Sequence, residues 1–477
     1  VPAIDREFRG MWIATVANID WPSRSGLSTA SQQSELIAIL DRAQTLKLNA
    51  VILQVRPAGD ALYASDIEPW TRSLTGTQGV SPGWDPLTFA VEQAHARGIE
   101  LHAWFNPFRA GNLSDSLSLA ANHFAKQRPD LTRPYCTQRW FDPGEPEVHA
   151  HTYRVIRDVV QRYDIDAVHL DDFFYPYPDS RCAGLQFPDS AVYARFVAGG
   201  GTMSRDDWRR DNVNRFVQQL QQEVRQVDPT VKVGISPFGI WRPGTPPGIV
   251  GLDAYGSIFA DSRLWLNRGW IDYLAPQLYW ALNSTGQNFT ALLEWWTQQN
   301  TQQRHLWPGL ASYRVADGSA SAYAATEIQG QVNATRQRAN LAGGPTGTIL
   351  YNTTSVMQNR GGLSSLLESQ VNVNDAVVPA SPWLDAAAPA APTFTVASTS
   401  SALGTRQISI AADAGGRARW WLVRWRDGTN WRSRVVRSAL SGVSVPGDSN
   451  GRPVSVIVVH ALSATGVASG PTTWQQP

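Results

Sequence analysis

Asp166-Ala-Val-His-Leu-Asp-Asp-Phe-Phe-Tyr-Pro176 reads as a buried strand that ends in two adjacent carboxylates, followed by aromatics and proline. An apolar run with few polar interruptions is the pattern of a parallel strand covered on both faces. Two acids at the end of such a strand cost free energy unless they have partners or a task. Working outward, strand-like and helix-like segments alternate. The strands are expected at Glu7–Val16, Asn49–Pro57, Ile99–Phe108, Asp166–Phe174, Val231–Ile240, Ile271–Trp280, His305–Arg314 and Gly347–Thr354. The helices between and after them are expected at Ser31–Leu48, Asp85–Gly98, Pro146–Tyr163, Asp206–Val227, Ser257–Gly269, Phe289–Gln302, Ser321–Leu341 and Leu363–Val371.

Eight such repeats point to an α/β fold, a (β/α)8 TIM barrel over residues 1–372. A doubly wound open sheet is the alternative. It would ordinarily carry a Gly-rich phosphate turn after the first strand, and Ala17-Asn-Ile-Asp-Trp-Pro22 is not one. The long connections 57–84, 107–145 and 173–205 follow strands, which marks the C-terminal end of the barrel as the working face. Residues 373–390 are rich in Pro and Ala and read as a semi-stiff linker. Residues 391–477 change to short alternating strands at Thr393–Ser398, Arg406–Ala411, Arg419–Trp425, Asn430–Val436 and Val454–Leu462, with an Asp427-Gly428 turn signal. They read as a small all-β sandwich domain of fibronectin type III-like character. Its Trp420, Trp421, Trp425 and Trp431 suit core packing better than sugar binding.

Composition narrows the function. With 477 residues, 43% hydrophobic and 17% charged, the chain has full cores and is not disordered. A net charge of +1 gives no electrostatic argument for nucleic acid or anionic membrane. No run of about 18 unbroken apolar residues marks a membrane-spanning helix. The chain starts at Val1 without Met, and the expectation is a mature product whose leader has been removed. Cys136 and Cys182, both in polar, Pro-rich loops, are expected to form one disulfide, which places the protein in an oxidising compartment. Twenty Trp supply flat faces of the kind that stack on sugar rings.

Strand alternation sorts side chains between the barrel axis and the helices. In the fourth strand His169 and Asp171 face the axis. The same parity brings in Gln54 and Arg56, then His102, Trp104 and Asn106, then Gln277 and Tyr279, with Tyr351 from the eighth strand. So polar and aromatic an axis exceeds the Val, Ile and Leu layers that packing needs. Glycosidic cleavage requires an acid for the leaving oxygen and a group that stabilises an oxocarbenium-like transition state. The fifth strand ends Ile235-Ser-Pro-Phe-Gly239 without a second acid; Asp60, Asp66, Glu68 and Asp142 lie in working-face loops.

Asp171 and Asp172 are therefore the expected catalytic pair. Neighbouring carboxyls do not both ionise easily, so one is kept protonated near neutral pH. In substrate-assisted cleavage one such acid orients a 2-acetamido nucleophile and the other protonates the leaving oxygen. Asp171 is assigned the first role and Asp172 the second. Arg56 is expected to hold a carboxylate, either that of Asp171 or one on the substrate. Asn106, His169, Gln277, Tyr279 and Tyr351 complete the polar set, and Trp104, Trp241 and Trp280 offer stacking faces. Two other classes remain open. The missing strand-five acid suits a glycan-binding barrel without catalysis. His102 and His169 suit a metal-dependent polysaccharide deacetylase, though no metal ligand set is assigned.

Several stretches together resemble one family: Glu7-Phe-Arg-Gly-Met-Trp-Ile-Ala-Thr-Val16, Gln54-Val-Arg-Pro57, Trp104-Phe-Asn-Pro-Phe-Arg109, Phe141-Asp-Pro-Gly144, His169-Leu-Asp-Asp-Phe-Phe-Tyr-Pro176 and Tyr273-Leu-Ala-Pro-Gln-Leu-Tyr-Trp280. The resemblance is to the bacterial glycosyl hydrolase-like family ten, which includes a divisome-localised glycosidase of denuded peptidoglycan. It implies a (β/α)8 barrel that cleaves peptidoglycan glycan strands lacking stem peptides; no cofactor is expected. It also implies a periplasmic or secreted, envelope-associated location near cell-envelope or divisome proteins. The chain is expected to act as a monomer. At matching positions the resemblance implies Arg56, Asn106, Asp171, Asp172, Gln277 and Tyr279 as site residues.

Overall fold

A computed structural model describes residues 1–397, 404–427, 430–449 and 452–476. Eight parallel strands form the first domain: β1 (Phe8–Ile13), β2 (Ala50–Arg56), β3 (Glu100–Phe105), β4 (Ala167–Leu170), β5 (Lys232–Ile235), β6 (Tyr273–Leu274), β7 (His305–Leu306 with Gly309–Leu310) and β8 (Gly347–Leu350). They are bonded in sequence order, and the two pieces of β7 close the ring. His305–Leu306 pairs with β6, and Gly309–Leu310 pairs with β8. Helices α1 (Thr29–Thr45), α2 (Pro86–Ala96), α3 (Pro146–Arg162), α4 (Arg205–Val227), α5 (Ser262–Arg268), α6 (Phe289–Gln299), α7 (Ala325–Arg336) and α8 (Leu363–Leu366) surround it. The fold is the expected TIM barrel.

The regular strands are shorter than expected because prolines end them. Pro237 and Pro276 have no N–H for the ladder, so β5 and β6 stop at Ile235 and Leu274. Past those ends the parallel alignment continues as single bridges, Phe238 to Gln277 and Gln277 to Gly309. That keeps Gln277 at the barrel mouth. Side chains such as Met11, Val51, Leu101, Val168 and Leu274 pack between barrel and helices. A separate aromatic cluster fills the axis, where Phe8 stacks on Trp307 at 3.6 Å. Gly234 makes this filling possible, since a Cβ there would lie 1.9 Å from the Tyr273 ring.

The second domain has a three-stranded sheet, β9 (Phe394–Val396), β10 (Thr405–Ile410) and β13 (Gly442–Pro446). A four-stranded sheet is built from β11 (Trp420–Asp427), β12 (Asn430–Arg437), β14 (Val456–Leu462) and β15 (Thr472–Gln475). All pairings are antiparallel. β13 and β15 were not expected from the sequence, being short and weakly patterned. Ser398 and the Gly428 of the expected turn lie outside the described residues. Trp420 and Trp421 are buried, Trp425 packs on the sandwich core, and Trp431 lies beneath Arg424.

The Pro/Ala-rich stretch lies along the N-terminal end of the barrel. Glu7 N donates to Val377 O at 3.0 Å, Ser381 meets His305 at 3.0 Å, and the Trp383 indole donates to Asp272 at 2.9 Å. The sandwich docks on the same end. Arg419 pairs with Asp164 (2.6 Å) and Asp166 (2.9 Å), and Arg437 with Asp164 (2.7 Å). At Gly98, with φ +71°, a Cβ would meet the Val435 carbonyl at 2.3 Å, so this approach requires glycine. The opposite, C-terminal end stays open.

Candidate active site

Asp171 and Asp172 follow β4 at the open end, 4% and 7% exposed. The parallel register that sets Trp104 beside His169 brings Asn106, two residues on, beside Asp171. Asp171 accepts hydrogen bonds from the Trp104 indole (3.2 Å), the Asn106 amide and the Phe173 backbone N–H (3.1 Å). Asp172 accepts the Tyr177 hydroxyl, with the Gln277 amide beside it. Around the pair is a cleft of about 450 Å³, walled by Trp12, Trp104, Phe173, Phe238, Tyr279 and Tyr351 and floored by Ser236 and Gln277. Tyr279 and Tyr351 stack at 5.8 Å, and Trp12 meets Tyr351 edge-on at 6.1 Å. Gly309 leaves room for the Trp12 indole, which a Cβ would meet at 2.8 Å.

Burial pushes the Asp171 carboxyl up to about 7, with the neighbouring Asp172 charge adding to it. Burial raises Asp172 as well, opposed by the Tyr177 and Gln277 hydrogen bonds. The two titrate as a unit, so near neutral pH the pair retains one proton. A protonated carboxyl beside an ionised one, in an aromatic slot, can give a proton and stabilise positive charge on a bound ring.

The cleft gathers Trp104, Asp171, Asp172, Gln277, Tyr279 and Tyr351, with Asn106 directly behind Asp171. Four other expected residues lie elsewhere. Arg56 is fully buried in a two-pronged pair with Glu68 (2.8 and 2.5 Å) and donates to the Asn106 carbonyl (2.6 Å). A bulge between Gln54 and Arg56 breaks the β2–β3 register, so the alternation that should have carried Arg56 to the cleft fails. Arg56 instead braces the loop after β2. His169 is fully buried below the cleft. Its Nε2 receives the Trp12 indole (3.1 Å) and its Nδ1 meets the Tyr273 hydroxyl (2.9 Å), which also reaches His102 (3.0 Å). Both imidazoles thus use their nitrogens inside the barrel, and Glu100 takes the far one of His102 (3.0 Å). That leaves neither facing an open metal position.

Trp241 stacks on Trp295 of α6 at 5.9 Å and donates to Asp261 (3.0 Å), outside the cleft. Trp280 meets Phe238 edge-on (5.5 Å) and faces an adjoining depression with Arg314 and Tyr323. Of the loop acids, Glu68 is held by Arg56 and His151, Asp60 by Gln78, and Asp142 by Arg133. Cys136 and Cys182 form the expected disulfide, S–S 2.05 Å, joining the loops after β3 and β4.

Sequence reasoning missed Trp12, Tyr177 and Arg109. Trp12 was legible, since Phe8, Gly10 and Trp12 alternate in β1 as His169 and Asp171 do in β4. Arg109 stands three residues after Asn106, in a loop where no periodicity sets direction. Its charge acts on both Asp171 and Asp172. Tyr177 follows Pro176 and carried no signal.

The profile of a family described as glycosyl hydrolase-like 10 matches residues 7–324. The chain is 40% identical over 400 residues to a glycosyl hydrolase, YngK, of Bacillus subtilis (strain 168), covering 82% of this chain and 77% of that protein. It is 35% identical over 332 residues to the glycosyl hydrolase DigH of Escherichia coli (strain K12), covering 65% of this chain and 74% of that protein. Among solved structures, the glycoside hydrolase domain of PgaB (BpsB) from Bordetella bronchiseptica matches 76% of this chain and 98% of its own. Its TM-score is 0.50 at 13% identity, a likeness of fold.

Proposed function

The chain belongs to the glycosyl hydrolase-like 10 family and is a glycoside hydrolase; from that premise we propose that it cleaves the β-1,4 glycan backbone of peptidoglycan strands lacking stem peptides. One observation carries the reading: two adjacent, buried carboxyls set in an aromatic slot at the barrel mouth. In this reading the shared proton passes to Asp172 when substrate is bound, and Asp171, which accepts three hydrogen bonds, is ionised. In the proposed step the 2-acetamido carbonyl oxygen of the substrate attacks its own anomeric carbon. The C1–O4 bond breaks, and Asp172 passes its proton to O4. Asp171 stabilises the cationic ring that the acetamido group forms. Water then adds at C1 and returns a proton to Asp172. Trp12, Tyr279 and Tyr351 supply faces for sugar rings.

A periplasmic or secreted location belongs to the same proposal, supported by the Cys136–Cys182 disulfide. No described helix is long and apolar enough to cross a membrane. The three- and four-stranded sheets of the second domain are the basis for a fibronectin type III-like assignment. The test is incubation with amidase-stripped glycan strands and mass spectrometry of the products. New saturated reducing ends are expected, and the terminal sugar names the bond. Anhydro ends would replace hydrolysis by lytic transglycosylation. Intact strands would leave a glycan-binding barrel.

A further inference from the structure

Arg109 opens a short antiparallel strand in the loop after β3, opposite Trp140. Its guanidinium carbon lies 4.9 Å from the ring centroid of Phe173, which walls the cleft. It is half-buried, yet among the described residues its side chain makes no hydrogen bond and no ion pair. By contrast, Arg56 grips Glu68, and Arg209 grips Asp189. A guanidinium has five N–H donors, and at this half-buried position those of Arg109 remain free for a ligand. Phe173 meets one face of it by cation–π attraction, which leaves the edge, where the donors are, unengaged. Asp171 and Asp172 exert their charge on Arg109 but bond to Trp104, Asn106 and Tyr177. The arrangement is that of a cation held ready for an anion brought by the substrate.

Peptidoglycan offers one such group beside its glycosidic bonds. The N-acetylmuramyl ring carries a 3-O-lactyl group whose carboxyl is an amide wherever a stem peptide is attached. Once the peptide is removed it is a free carboxylate. We propose, resting on the peptidoglycan reading above, that Arg109 binds this free lactyl carboxylate and thereby selects stripped strands. A planar carboxylate matches the guanidinium edge with two parallel hydrogen bonds, which an amide cannot accept. With an amide in its place the guanidinium, covered by substrate, stays unpaired, so discrimination arises from a penalty as well as from a contact.

The test compares two forms of the same stripped strand, one with free lactyl carboxylates and one with those carboxylates converted to primary amides. For the wild-type protein, amidation is expected to lower kcat/KM by about tenfold or more, mainly through KM. Arg109→Gln is expected to lose activity on the free form and to treat the two forms within about threefold. Arg109→Lys, which keeps the charge without the planar fork, should retain part of the preference. Comparing two substrates on one enzyme cancels any effect of Arg109 on the acidity of the Asp pair. If the wild type cleaves both forms equally, or if Arg109→Gln keeps the full preference, the inference falls while the peptidoglycan reading stands. If the wild type cleaves neither form, both fall.

Discussion

Strand β4 has a carboxylate near each end, and the two are held in opposite ways. Asp166, at the N-terminal end, is as buried as Asp171. Burial alone would raise it, but Arg419 and His95 outweigh burial and hold it well below the usual carboxylate range. It bonds Arg419 at 2.9 Å, His95 at 2.9 Å and the Leu101 N–H at 2.8 Å. The same end of the barrel pairs Glu100 with Lys232 at 3.0 Å and Glu7 with Arg336 at 2.7 Å, and the sandwich covers it. Asp171, five residues on, has neutral donors and a like-charged neighbour, and is pushed up to about 7. Equal burial with unequal partners separates an acid that holds domains together from one that titrates in the working range.

The sharpest way to break this contrast is to neutralise each acid. Asp171→Asn is expected to lower turnover by about 10²- to 10⁴-fold. It should also stabilise the protein. A carboxyl whose folded pKa is raised destabilises the fold increasingly as pH climbs from the unfolded pKa of 3.8, and fully above about 7. The variant should therefore gain about 1–3 kcal/mol in urea denaturation near pH 8 and nothing near pH 4. Lost activity with lost stability would recast Asp171 as a structural acid like Asp166.

Arg419→Ala acts at the other end. Removing one partner of a buried ion pair is expected to cost about 3 kcal/mol. The sign with pH is reversed here. A depressed carboxyl contributes stability above its unfolded pKa and loses it as pH falls, so wild type and variant should converge in acid. Turnover per folded molecule should stay within about twofold, since no described residue of the sandwich lines the cleft. A parallel fall in kcat would mean that the two ends are coupled through β4.

This contrast also explains what was legible in the sequence. The barrel, Asp171, Asn106, Gln277 and Tyr279 followed from period-two alternation, which holds wherever ladder hydrogen bonds fix the register; Asp172 stands at the lip, where alternation breaks. It survived even beyond Pro276, because single bridges hold Gln277 in line. It failed at Arg56, where a bulge inserts a residue, and at Trp241, which lies past Pro237 and Gly239 in a connection that turns back onto α6. Arg109 and Tyr177 come from loops, where direction is set by long-range packing and by the Cys136–Cys182 crosslink. The docking of Arg419 on Asp164 and Asp166 joins segments some 250 residues apart, and no local pattern announces it.

The smallest expected effect concerns Tyr177, whose hydroxyl donates to Asp172. Such a bond favours the ionised carboxylate, so it lowers the pKa of the pair against burial. In the wild type, kcat/KM should fall as pH rises through about 7, where the pair loses its shared proton. Tyr177→Phe removes the donor and keeps the ring that packs on Phe173 and Phe238. The falling limb of the pH–rate profile should then move to higher pH, by roughly half a unit to one unit. Activity on the plateau should change by about threefold or less. A limb that moves to lower pH would mean that Asp172 donates to Tyr177, with the shared proton resting on Asp172 before substrate arrives.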